Sequence, residues 1–408
     1  MRIALISFEF PPSVAIGGIG TYAYEAARML ALAGHEVEVF AAGGVGEEPV
    51  AEFGVWVHRF DVKNRQELSK AVVPVFAKRH REKPFDVLES PEIGAEGAGI
   101  KAAFPDLPLV VKLHTPSYLV GKVGYEQPTL IEHLRFTLGG LRRGRWAKRS
   151  SPSYNVELDP ECLFTRSADE IAAPSRAIGG VLTHDWHLNS SKVSTFAYPF
   201  SPEPSLLALP LPSQGKVIGF LGRLEARKGV VELARAIPDI LKRIPELRFR
   251  FLGPSWPFKQ GDMESWIKHH CRNVLDRLEF VGAVGKEQLA AEFQKCDIMI
   301  LPSRWENFPF ACWETMASGR AVIGSASGGM ADVIEPGVNG LLVEANSTKS
   351  IVKAILSLAN DPEKVAQMGE AGRKRILHLL APERILSLQI ASYKRAIQRA
   401  KERINGEK

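Results

Sequence analysis

Two cations five residues apart, Arg223 and Lys228, stand in the segment Gly222-Arg223-Leu224-Glu225-Ala226-Arg227-Lys228-Gly229. An apolar run precedes the segment and a helical pattern follows from Val230. A planar guanidinium fork and a point-charge ammonium at this spacing can grip a diphosphate from both sides. Their charge could also stabilise that diphosphate as it leaves, work that a metal does elsewhere. Standing alone, the loop reads as an ordinary solvated basic turn.

A longer segment sharpens the picture. In Leu301-Pro-Ser-Arg-Trp-Glu306-Asn307-Phe308-Pro309-Phe310-Ala-Cys-Trp-Glu314, an apolar strand ends, a loop carries Glu306, and a helix beginning near Pro309 carries Glu314. The carboxyl end of a parallel strand is where open α/β sheets bind ligands. Two carboxylates eight residues apart could reach two hydroxyl-bearing parts of one ligand, such as a ribose and a sugar. The plain alternative for Glu306 is a helix N-terminal charge, worth less than about 1 kcal/mol. Glu314 sits among Phe310, Trp313, Met316 and Ala317, so its burial demands a partner.

Two further features lie in the first half. His114 stands just past the apolar run Val110-Val111, again at a strand end. Gly17, Gly18 and Gly20 follow a strand and open a helix, where backbone N–H groups could approach an anion. The plain alternative is a turn that needs positive φ. A nicotinamide fingerprint is disfavoured: the spacing is G-G-x-G, and the second strand ends Val39-Phe40-Ala41-Ala42 without a ribose-binding carboxylate. Two glycine-bearing turns, Gly282-Ala-Val-Gly285 and Gly328-Gly329, are either ligand-facing or simple connections.

The elements that must position these residues alternate along the chain. Strands are expected at 2–8, 36–40, 55–60, 86–89, 109–113 and 170–173, with a helix over 20–33. A second series follows at 217–221, 248–252, 278–281, 298–301, 321–323 and 341–343. This rhythm of strand and helix predicts an α/β protein with parallel sheets covered by helices. Five prolines between 199 and 215 argue against a regular element there. The expected organisation is a domain over 1–198, a linker over 199–214, a second domain over 215–381, and a basic helix over 382–408.

Composition narrows the class. The 408 residues include 52 Lys and Arg against 46 Asp and Glu, a net charge of +6. That excess favours anionic partners without choosing among them. Most of it is local: 131–149 carries +5, with Leu134, Phe136, Leu138, Leu141 and Trp146 interleaved, and 382–408 carries +4. The first segment suggests docking on anionic lipid or an anionic acceptor, against a solvated face as the plainer alternative. No apolar run is long enough for a transmembrane helix, and the N-terminus lacks a signal-peptide pattern. The four cysteines are widely spaced, so neither a disulfide framework nor a zinc site is expected. The expected setting is cytoplasmic, with peripheral contact at the inner membrane face through 131–149.

The order and spacing of these motifs resemble family-4 retaining glycosyltransferases of the GT-B fold. The resemblance runs from P-P-x4-G-G-I-G-T-Y through G-R-L-x3-K-G and E-x7-E to A-S-G-x-x-V-I and G-V-N-G-L-L-V. It implies two Rossmann-like domains facing across a cleft, with the last helix crossing back to the first domain. It implies a nucleoside-diphosphate sugar as donor, UDP- or GDP-linked, and no metal or cofactor. Arg223 and Lys228 would hold the diphosphate and Glu314 the ribose. Glu306 and backbone amides around Asn307, Phe308, Pro309 and Phe310 would bind the donor sugar. Gly17 and Gly18 would approach the phosphates, and His114 would meet the sugar near its anomeric side or its 6-hydroxyl. The catalytic set implied is His114, Glu306, Arg223 and Lys228. The acceptor would be a sugar, a lipid-linked glycan or a small molecule in envelope or polysaccharide synthesis. Where many relatives carry Gly and Leu, this chain has Pro309 and Trp313, so a bulkier donor pocket is expected. The alternatives are a sugar-nucleotide epimerase or a pyridoxal-phosphate phosphorylase on the same fold, and a basic nucleic-acid-binding protein. No nucleic-acid module is visible, so no specific nucleic-acid partner is expected.

Overall fold

The computed structural model describes residues 1–14, 17–44, 46–50, 54–124 and 154–406, with side chains left aside at 46–50 and 124. The 131–149 segment lies outside the described residues.

Two sheets carry the architecture. The first contains β1 (Arg2–Ser7), β2 (Glu36–Ala42), β3 (Gly46–Val50), β4 (Val55–Phe60), β5 (Val87–Pro91), β6 (Leu109–Lys112), β7 (Glu170–Ala173) and β8 (Val193–Thr195). Their order is β3-β4-β2-β1-β5-β6-β7-β8. Only β3 runs antiparallel, on the edge beside β4. The second contains β9 (Val217–Leu221), β10 (Arg248–Leu252), β13 (Leu278–Gly282), β14 (Ile298–Leu301), β15 (Ala321–Ser325) and β16 (Leu341–Val343). Its order is β13-β10-β9-β14-β15-β16, all parallel. A small hairpin, β11 (Pro257–Phe258) with β12 (Gly261–Asp262), follows β10.

The apolar runs explain the strands. All six residues of β1 are buried, as are all four of β14, because helices cover both faces of each sheet. Strand order reverses between β1 and β5 in the first sheet and between β9 and β14 in the second. Crevices open at such reversals, at the carboxyl ends of the strands. His114 lies past β6, Arg223 past β9 and Glu306 past β14, so both crevices collect the residues with chemistry.

Two expectations need correction. The proline-rich stretch is not wholly irregular: Pro204–Leu207 forms one helical turn. Pro204 sits in its first turn, where its missing N–H is no loss. The stretch is pinned to the second domain by Arg320, which donates to the Pro210 carbonyl at 2.7 Å, and Arg373, which donates to Leu209 at 2.7 Å.

The charge of the last helix also changes meaning. Pro382–Gly406 crosses back and packs on β6 and β7 of the first sheet. Arg395 and Arg399 both pair with the buried Glu170, and Arg403 with Asp169 at 3.2 Å. Tyr393 donates to Glu89 at 2.9 Å. These three arginines, each still partly exposed, hold the helix to the first sheet. No helix among the described residues is long and apolar enough to cross a membrane.

Candidate active site

The loop after β9 is shaped by Gly229. Its φ is +74°, and a Cβ there would sit 2.0 Å from the Pro302 carbonyl oxygen. Only glycine lets the Arg223–Lys228 loop lie this close to the strand end that leads to Glu306. Lys228 makes an ion pair with Glu306, Arg227 stands 3.5 Å from the same carboxylate, and Ser303 donates to it at 3.1 Å. Burial works to raise the Glu306 pKa, but Lys228 and Arg227 outweigh it and hold it below the usual range. Glu306 is therefore an anion pressed against two cations.

Arg223 is set differently. Its side chain is 41% exposed, 3.3 Å from Glu225 and 5.0 Å from the Trp256 ring centroid. To meet a ligand Arg223 would give up only this partly exposed pair, whereas Lys228 must first leave Glu306. The sequence reading missed Arg227, which Glu225 steers inward at 2.9 Å.

The Glu306 loop is braced from both sides. Gly328 has φ +97°, and a Cβ there would lie 1.9 Å from the Glu306 carbonyl oxygen. Gly329 donates its N–H to that oxygen at 2.8 Å. The Gly328-Gly329 turn thus supports the loop. Asn307 is buried and donates to the His114 carbonyl at 2.6 Å, while Ser175 donates to its amide oxygen at 3.1 Å. Phe308 and Pro309 are buried, so their side chains wall the loop, while Phe310 lines an open cleft.

That open cleft is where Glu314 lies, with Thr21, Glu25, Glu203, Lys286 and Phe310 among its lining residues. Burial pushes the Glu314 pKa up to about 7; nearby Lys286 opposes the rise and Glu203 adds to it. Glu306 and Glu314 thus occupy two distinct environments, one ion-paired and one poised to titrate. Lys286, Glu25 and Glu203 were not legible as site residues, because they come from three separate elements.

Gly17 and Gly18 open the Gly18–Leu32 helix. Gly17 has φ −159°, extended backbone open to any residue, and neither Gly18 nor Gly20 has positive φ. The turn reading is therefore overturned, and a side chain at Gly17 or Gly18 would make only ordinary contacts. A Cβ on Gly18 would lie 3.8 Å from the Phe310 ring of the opposite domain, and one on Gly20 3.3 Å from Glu9.

His114 is buried, with Nδ1 2.7 Å from the Tyr198 hydroxyl and its own N–H donated to Glu92 at 2.7 Å. Burial, then the charges of Lys112 and Arg65, hold its pKa well below the usual value, so it is neutral. Lys112, missed above, lies fully buried on the same face, its ammonium 3.7 Å from the Phe196 ring centroid. Its signal was present: a cation inside an apolar strand. Burial lowers its pKa to about 7, partly offset by Glu89. Among the described residues no group of three or more His, Cys, Asp or Glu side chains is arranged to hold a metal ion.

The glycosyltransferase family 4 model matches residues 16–197, and the glycosyl transferases group 1 model matches 208–375. The chain belongs to the group 1/family 4 glycosyltransferases. This glycosyltransferase is 26% identical to a D-inositol 3-phosphate glycosyltransferase of Streptomyces scabiei, over 91% of this chain and 86% of that one. Its fold matches sucrose-phosphate synthase from Thermosynechococcus elongatus with a TM-score of 0.74, at 22% identity, covering 98% and 99% of the two chains. It also matches Anabaena Alr3699/HepE, solved in complex with UDP, with a TM-score of 0.65 at 16% identity, covering 96% and 100%. The two facing sheets of the glycosyltransferase are the GT-B arrangement, as the resemblance implied. These relatives do not favour the epimerase alternative.

Proposed function

We propose that the protein transfers a sugar from a nucleoside-diphosphate sugar to a hydroxyl acceptor with retention of configuration. One observation carries this reading: Glu306 is ion-paired to Lys228 at the mouth of the second sheet, with Arg227 beside it and Arg223 on the same loop, paired to Glu225. A diphosphate entering there would take Lys228 and Arg223 as partners. Glu306, released from Lys228, would then accept hydrogen bonds from sugar hydroxyls. Glu314, in the adjoining cleft, would accept from the ribose. That a protein of the same fold was solved in complex with UDP supports a nucleotide-linked donor.

The chemistry then balances within the substrates. The bond from the anomeric carbon to the diphosphate oxygen breaks, and the electron pair leaves with the diphosphate. The acceptor oxygen bonds to the same face of that carbon, and its proton passes to the departing phosphate oxygen. Lys228 and Arg223 stabilise the charge that develops on the leaving group, and need no metal to do so. The acceptor side belongs to the first domain, where 131–149 supplies a basic, apolar-interleaved segment suited to an anionic lipid surface or acceptor.

Calorimetric titration with UDP, GDP and ADP and their sugar conjugates tests the donor. Nucleotide release that depends on acceptor, with an axial or equatorial product bond matching the donor's, supports retaining transfer. Nucleotide release equal with and without acceptor, or an inverted product, overturns it.

A further inference from the structure

Tyr198 lies just past β8, where the first domain runs into the linker, and its ring is buried. Its hydroxyl oxygen stands 2.6 Å from the Leu113 carbonyl oxygen and 2.7 Å from His114 Nδ1. A phenol has one hydrogen to give. The carbonyl can only accept, and two oxygens at 2.6 Å with no hydrogen between them would set lone pair against lone pair. The hydroxyl hydrogen therefore goes to Leu113. The same oxygen can then meet Nδ1 only as an acceptor, so Nδ1 carries the imidazole hydrogen. A neutral imidazole has a single N–H, which leaves Nε2 as a bare acceptor.

The His114 ring lines a second, narrow cleft together with Ser7, Ile19, Tyr22, Glu89 and Lys112. Nε2 makes no hydrogen bond to a described residue, whereas Nδ1 is engaged by Tyr198. The place of Tyr198 is fixed from both domains. Its ring centroid is 4.5 Å from that of Tyr22 in the first domain and 4.8 Å from that of Phe308 in the second.

We propose that Tyr198 is a positioning residue that holds His114 as the Nδ1–H tautomer and so presents Nε2, as an acceptor, to a hydroxyl hydrogen of the donor sugar. This rests on the reading of His114 as the residue that meets the sugar. The consequence is a preference at that position. A hydroxyl can donate to Nε2, whereas a uronate carboxylate there would face a lone pair and be disfavoured. The Leu113 carbonyl, the Tyr198 hydroxyl and His114 all belong to the first domain, so the tautomer is set within that domain, and the Phe308 ring only packs against the Tyr198 ring.

The test uses the full-length protein labelled with ¹⁵N-histidine, with the His114 signals assigned by their loss in His114→Gln. Long-range ¹H–¹⁵N correlation should show a protonated Nδ1 and an unprotonated Nε2. Tyr198→Phe keeps the ring and its packing but removes the hydroxyl. It should mix the tautomers and lower turnover about 10- to 100-fold, with affinity for the nucleoside diphosphate within about twofold. A wild-type signal for Nε2–H, or a Tyr198→Phe spectrum identical to wild type, overturns the positioning role itself. Normal turnover in His114→Gln overturns the proposal from the other side, because the sugar contact would then be absent while the tautomer result stood.

Discussion

Asn307 donates its side-chain N–H to the backbone carbonyl of His114 at 2.6 Å, joining the loop of Glu306 to the strand end of His114. Ser175, also from the first domain, donates to the other end of the same amide at 3.1 Å. At the rim, Arg176 meets Asp332 through its backbone N–H at 2.6 Å and its guanidinium at 3.1 Å. Among the described residues, the polar contacts across the cleft thus include one buried amide and one exposed ion pair, beside the ring contact of Tyr198 with Phe308. Buried hydrogen bonds matter more than exposed pairs, because an unpaired buried group has no water to turn to.

Asn307→Ala should therefore loosen closure. Leaving buried partners unsatisfied costs about 1–3 kcal/mol. Small-angle scattering should show a larger radius of gyration, and turnover should fall by about 10-fold or more. Arg176→Ala, at an exposed pair, should change either by far less. Equal effects from the two variants would reverse the order argued here.

Lys228→Ala should abolish most transfer, with a loss of at least about 100-fold, because leaving-group stabilisation is lost. Glu306 would then keep only Arg227 and Ser303 as partners. Circular dichroism should remain that of the wild type. Near-normal turnover in this variant would remove Lys228 from the diphosphate.

Nucleotide affinity should depend on pH through Glu314. Its carboxyl is pushed up to about 7 by burial, so it is largely protonated below that pH. An ionised carboxylate accepts ribose hydrogen bonds more strongly than a carboxylic acid does. Binding below pH 7 must therefore first release a proton, and affinity should fall as pH drops from 8 to 6. Calorimetry on Glu314→Gln should give a flatter profile, with the remaining slope belonging to the phosphates. An unchanged slope in Glu314→Gln would exclude this role.

The crossing helix should depend on Glu170. This buried carboxylate accepts from Arg395 at 2.6 Å and Ser194 at 2.7 Å, and also pairs with Arg399. Glu170→Ala should cost about 3 kcal/mol, the low end for a broken buried pair, since both arginines reach partly into water. Urea unfolding would measure the loss. Arg395→Ala should cost less, because Arg399 still neutralises Glu170.

The sequence by itself determined the strand runs and the motif spacing. The apolar segments 217–221 and 298–301 become strands at those bounds, since burial on both faces leaves a local apolar signature, and so does 248–252 through its alternation of Arg and Phe. The same local logic singled out Arg223, Lys228, Glu306 and Glu314 as candidate site residues. It did not expose β3, whose Glu47, Glu48 and Pro49 carry no apolar run and which pairs antiparallel on the sheet edge. Nor did it expose the three-residue β8.

Only the tertiary structure decided which residues meet. It set Glu306 against Lys228 and Glu314 in a separate cleft with Lys286. It brought the Asn307 amide to His114 and the Tyr198 hydroxyl to its imidazole. It also set Arg395 and Arg399 on Glu170 and Arg403 on Asp169, where composition had suggested a surface for anions. The reason is physical: a side chain's apolar or polar character is local, but its protonation state and hydrogen-bond partners are set by groups that folding brings within a few ångströms.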